Sequence, residues 1–60
     1  MLFEAILHEV EQLNNVSTRL EGLGDQHPSF SESLMTIAGN VRNIATILAV
    51  VVAAKGPKPI

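Results

Sequence analysis

The chain is 60 residues long, with six carboxylates against four basic side chains for a formal net charge of -2, and 47% of it is hydrophobic. It has no cysteine, two Phe and no Trp or Tyr. Disulfides, thiolate zinc sites and thiol catalysis are therefore excluded. The clustered Lys and Arg and the stacking aromatics of a nucleic-acid surface are not supplied either. A chain of this size buries only about 60% of the surface that its unfolded form exposes. Oligomerisation is the remaining route to stability when disulfides are absent.

Residues 1–9 lack the basic start and small-residue cleavage site of a secretory signal, and the expected location is cytoplasmic. Residues 2–21 follow a seven-residue apolar repeat. Phe3, Ile6, Val10, Leu13, Ser17 and Leu20 alternate at spacings of three and four, the seam of a helix that packs against another helix. Leu2, Val16 and Leu23 widen this seam on one flank, and Leu7 does so on the other. Glu4, Glu11, Gln12, Asn15, Thr18 and Arg19 lie on the far side. Ser17, the one polar residue on the seam, is expected to bond a carbonyl one turn earlier in its own helix. A polar contact that sets register between subunits is the alternative.

Residues 22–28 form the expected turn. Gly22 and Gly24 suit the left-handed conformation that ends many helices, and His27 precedes Pro28, which disfavours helix at the residue before it. Ser29 and Glu32 match the capping-box spacing, although Pro28 also fits the first helical position.

A second helix is predicted over 29–55, interrupted only by Gly39. Its seam reads Phe30, Leu34, Ile37, Val41, Ile44, Leu48 and Val51. Ala38, Ala45 and Val52 flank that seam, and Ala45, Ala49 and Ala53 recur every four residues. Small side chains at such spacings permit close helix approach, while high helix propensity explains alanine equally well. Gly56, Pro57 and Pro59 end the helix and predict an extended tail over 56–60. Within it, residues 44–54 carry one polar group, Thr46. That run lacks the polar face of a surface helix and is shorter than the roughly 20 residues that cross a bilayer.

The fold expected is an all-α, antiparallel two-helix hairpin forming a single domain over 1–60. Folding back at Asp25 sets Leu2 opposite Leu48, so that 49–55 overhang the first helix. Two helices alone leave a wide apolar face in water. Pairing two hairpins into a four-helix bundle turns each seam inward, and a two-fold dimer is the first choice. Its interface is assigned to Phe3, Ile6, Val10, Leu13, Leu20, Phe30, Leu34, Ile37, Val41, Ile44, Leu48, Val51 and Val52.

No chemistry emerges. Glu4, His8 and Glu11 share a helical face opposite the seam, with the spacing Glu-x-x-x-His instead of the Glu-x-x-His of di-iron bundles. His27 reads as a loop residue. The Ser and Thr residues have no base and orienting group in sequence relation to them, and Gly22-Leu23-Gly24 is no phosphate loop. No catalytic residue, metal or cofactor is therefore assigned. Asn40, Arg42 and Asn43 form the one polar cluster within the second helix. Arg42 is placed to pair with a glutamate of the first helix or of a neighbour, Asn40 to bond across a subunit boundary, and Arg42 and Asn43 are the candidates for polar recognition of a partner.

These features point first to a non-catalytic, homo-oligomeric interaction, adaptor or regulatory module, with itself or an unidentified protein as partner. A second account makes the C-terminal helix a membrane element: Asn40, Arg42 and Asn43 interrupt 37–54 and sit at the headgroups, 44–54 form a partial insertion, and Lys55 and Lys58 flank its other end. In length and helix plan the chain is also similar to the Rop family of plasmid copy-control proteins, whose two-helix hairpin dimerises into a four-helix bundle. That likeness implies nucleic-acid regulation as a third account.

Overall fold

The computed structural model describes residues 2–55, and side chains from Phe3 onward. The extended tail expected over 56–60 and the side chain of Leu2 lie outside that range. Two helices of 25 residues pack against each other: α1, Leu2–Gln26, and α2, Ser31–Lys55. A single 3-10 turn, Pro28–Phe30, leads into α2. Each helix is about 38 Å long at 1.5 Å per residue. Carboxylates sit in both first turns (Glu4 and Glu32) and Lys55 in the last turn of α2, placements that the helix dipole favours.

The connection is tighter than the sequence implies. α1 runs straight through Gly22 and Gly24, and no glycine among the described residues has a positive φ. The two glycines are thus helix interior, not left-handed terminators. Gly24 is buried, and a Cβ built on it would lie 3.5 Å from both the Leu34 Cβ and the Ser31 carbonyl oxygen. That is ordinary contact distance, so the start of α2 passes directly over this position. The chain reverses around His27, whose N–H donates to the Leu23 carbonyl at 3.0 Å and whose carbonyl accepts from the Phe30 N–H at 2.9 Å. Pro28 takes the first position of the 3-10 turn and no side chain caps it. Ser29 is already inside that turn, which removes it from the capping-box role.

The register follows from one buried contact. The Ser17 hydroxyl donates to the Ala38 carbonyl of α2 at 2.8 Å. Ser17 therefore does not bond within its own helix, as Thr18, Thr36 and Thr46 do to Asn14, Glu32 and Arg42. Counting by heptads from that pair sets Gly24 level with Ser31, Val10 with Ala45, and Phe3 with Val52. Side chains in these layers shrink steadily toward the turn, which lets the helices come together where a short connection needs them close. The intervening row carries the bulk: Ile6, Leu13 and Leu20 of α1 lie level with Leu48, Val41 and Leu34 of α2, all half-buried.

Two expectations are corrected here. The contact row of α2 is Ser31, Ala38, Ala45 and Val52, with Ala38 and Ala45 at 0% exposure and Val52 at 9%. Phe30, Ile37, Ile44 and Val51 instead face outward. Small residues permit a separation at which the Ser17 hydroxyl reaches backbone, and larger ones in that row would force the helices apart. The overhang of 49–55 is also lost. Because α1 continues to Gln26, the reversal shifts toward the C-terminus and Val52 lies beside the start of α1.

Two substitutions test this register. Gly22→Ala meets nothing within 4 Å and should raise stability by about 1 kcal/mol, as a helix-interior exchange does. A left-handed glycine would give a loss. Ala38→Leu should destabilise by roughly 1–3 kcal/mol through overpacking. Thermal unfolding followed by circular dichroism at fixed concentration reads both.

Candidate functional site

Antiparallel packing brings like flanks of the two helices together, and the two edges of the contact differ in chemistry. One edge is marked by an ion pair. Arg42 Nη1 and Nη2 donate to Glu21 Oε2 and Oε1 at 3.2 and 3.0 Å. The two residues are not level in the register. Helical side chains lean toward their own N-terminus, and in antiparallel helices those directions converge, so the long chains meet near the Ser17–Ala38 layer. Both side chains are more than a third exposed, which limits the pair to about 0–1 kcal/mol. This edge also carries Asn14, with Glu11, Thr18, Asp25 and Glu32 behind it and Leu7 and Met35 as apolar exceptions.

The other edge is apolar on α2 and mixed on α1, where exposed Glu9 shares the heptad position of Val16 and Leu23. It sets Val16 and Leu23 of α1 alongside Phe30, Ile37, Ile44 and Val51 of α2. These four recur every seven residues and are 61%, 47%, 56% and 43% exposed. Ile47, further round the same side, is 56% exposed. On α2 the small row Ala38 and Ala45 is thus fully buried, while the large row Phe30, Ile37, Ile44 and Val51 beside it lies outside. Contiguous apolar surface of this kind marks an interaction site.

The interface residues inferred from sequence separate into two sets. Phe3, Ile6, Val10, Leu13, Leu20, Leu34, Val41, Leu48 and Val52 line the contact between the two helices of one hairpin, half-buried or buried. Phe30, Ile37, Ile44 and Val51 form the open face. Of the polar candidates, Arg42 is engaged by Glu21, whereas Asn40 and Asn43 are exposed. Exposed Leu23 was legible only as a seam flank, and Ile47 and Val50 (exposed as well) carried no signal beyond the apolar run.

The described residues enclose no pocket and hold no group of three or more His, Cys, Asp or Glu placed for a metal ion. Glu4, His8, Glu11 and His27 are exposed. No buried side-chain oxygen or nitrogen among the described residues lacks a hydrogen bond. The segment Pro28–Lys55 is 28 residues long with a mean hydropathy of 1.7 in its most apolar window, enough by length and composition to cross a membrane. This extends the reading of 44–54 alone as too short. Comparison of the chain with protein-family models, with curated proteins and with solved structures finds no match.

Replacing Arg42 by Met should cost less than about 1 kcal/mol and leave the unfolding midpoint nearly independent of salt between low and moderate ionic strength, as screening of exposed pairs requires. A double-mutant cycle with Glu21→Gln measures the coupling directly.

Proposed function

We propose that this chain is a non-catalytic, homo-oligomeric interaction module, in which hairpins pair through their open apolar edge into a four-helix bundle. One observation carries the reading. The large apolar row Phe30, Ile37, Ile44 and Val51 is exposed while the alanine row beside it is buried. Water disfavours such a surface by about 25 cal/mol per Å² of apolar area. Two helices side by side, each about 38 Å long and 10 Å wide, offer roughly 750 Å² on one face. A standard interface takes about 800 Å² from each partner. A two-fold dimer therefore removes most of the exposed apolar area in one step.

A second reading has its own support in the length and hydropathy of Pro28–Lys55, which suit a lipid phase. α2 packs along its whole length on α1, however, and α1 carries Glu4, Glu9, Glu11, Glu21 and Asp25. Burying the hairpin in hydrocarbon would take those carboxylates with it, at several kcal/mol each. The soluble bundle, in the cytoplasm, is therefore preferred.

Light scattering of the purified chain in detergent-free buffer should give twice the monomer mass at micromolar concentration. Ile44→Asp should return the monomer mass and lower the unfolding midpoint. A monomer at every concentration, or quantitative flotation with phosphatidylcholine vesicles, would sink the bundle reading.

A further inference from the structure

The exposed side of α2 carries more than the four-residue apolar row. Phe30, Ser33, Ile37, Asn40, Ile44, Ile47 and Val51 alternate at spacings of three and four, a second heptad seam with every member exposed. This seam is offset from the one that contacts α1 and faces away from the Glu21–Arg42 edge. Its positions are spaced nearly symmetrically about Asn40, with Ser33 and Ile47 as the one unlike pair in polarity. Phe30 and Val51 lie equally far from Asn40 to within a residue, as do Ile37 and Ile44, and Ser33 and Ile47.

We propose, resting on the homo-oligomer reading above, that the occupant of this face is a second copy, with its α2 antiparallel to the first. A two-fold axis then passes beside Asn40. An antiparallel pair of identical helices matches a seam to its own reverse, and here apolar residues meet apolar ones except where Ser33 meets Ile47. Phe30 meets Val51, Ile37 meets Ile44, and the two Asn40 amides face each other. An amide supplies both donors and an acceptor, so Asn40 satisfies its own counterpart across the axis. One polar residue in an otherwise apolar seam fixes register and partner number at some cost in stability. Charge fits as well. The same axis stacks α1 on its copy and brings Arg19 of one chain within about one helical turn of Glu9 of the other.

The competing bundle turns the second copy about an axis parallel to the helices and lays α2 over the partner's α1. It sets Glu9 against Ile44 and leaves Asn40 without its counterpart. The two arrangements are separated by self-crosslinking of single cysteines, which is possible because the natural chain has none. In the proposed dimer, position 40 faces its twin, while the two copies of position 33 are offset by about 21 Å along the helices. Asn40→Cys should form a disulfide-linked dimer at least tenfold faster than Ser33→Cys under the same mild oxidation. Equal rates, or a faster Ser33→Cys, with dimer mass retained by light scattering would overturn the axis at Asn40 and leave the oligomer reading standing. A monomer mass for the natural chain would overturn both.

Discussion

The rest of the structure depends on how closely two helix backbones approach at Ser17 and Ala38. A hydroxyl on a one-carbon stem reaches the facing main-chain carbonyl at 2.8 Å only where nothing larger than a methyl separates the helices. The layers on either side respect that spacing, with Ala45 toward the open end and buried Gly24 toward the turn. Close approach also explains the economy of the connection. Helices already in contact at Gly24 can be joined by His27 and one 3-10 turn, with no loop to order. What the arrangement does not provide is a thick core. Buried alanines and a serine remove little apolar area from water, and the larger residues of the intervening row remain half wet. Small domains with so thin a core commonly add a staple such as oligomerisation.

α1 is legible in the sequence because a single stripe holds all its large apolar residues except Leu7 and the flanking Leu2, Val16 and Leu23. In α2 the pattern selects the wrong row for the contact with α1. Leu34, Val41 and Leu48 belong to the contact under either reading, but the row that completes the seam is either Phe30, Ile37, Ile44 and Val51 or Ser31, Ala38, Ala45 and Val52. Hydrophobicity ranks the first row higher, and steric fit selects the second. Patterning carries no information on how near the partner helix lies, so the row rich in small residues was seen as a flank. Gly22 and Gly24 misled for a related reason. Glycine ends helices by its freedom at positive φ, and it also permits close packing inside them. Only the position of α2 distinguishes the two uses.

The open surface was partly readable. Composition predicts that other copies cover the apolar half of α2 because it overhangs α1, but α1 reaches Val52 and the overhang is absent. Val50 and Val51 are exposed because they point away from α1, not because they extend beyond it. The distinction moves the expected contact from the tip of the hairpin to its broad side. A tip contact would join few residues and place no demand on symmetry. A side contact runs the length of α2 and makes the order of residues along it matter.

The exposed row Phe30, Ile37, Ile44 and Val51 on α2 is suited to apolar cover, and both lipid and protein qualify. The polar residues decide between them. In lipid, Asn40, Arg42 and Asn43 would occupy the outer and lateral faces of α2 near its middle, where each costs a few kcal/mol. Arg42 is turned toward α1 and engaged by Glu21, which relieves one of the three. Asn40 lies on the apolar side, the single amide among Phe30, Ile37, Ile44, Ile47 and Val51. Facing hydrocarbon, its hydrogen-bonding groups would go unmet, whereas a protein surface can return them. On the proposed axis the partner of that amide is the Asn40 of another copy, with Phe30 set against Val51 and Ile37 against Ile44 across it.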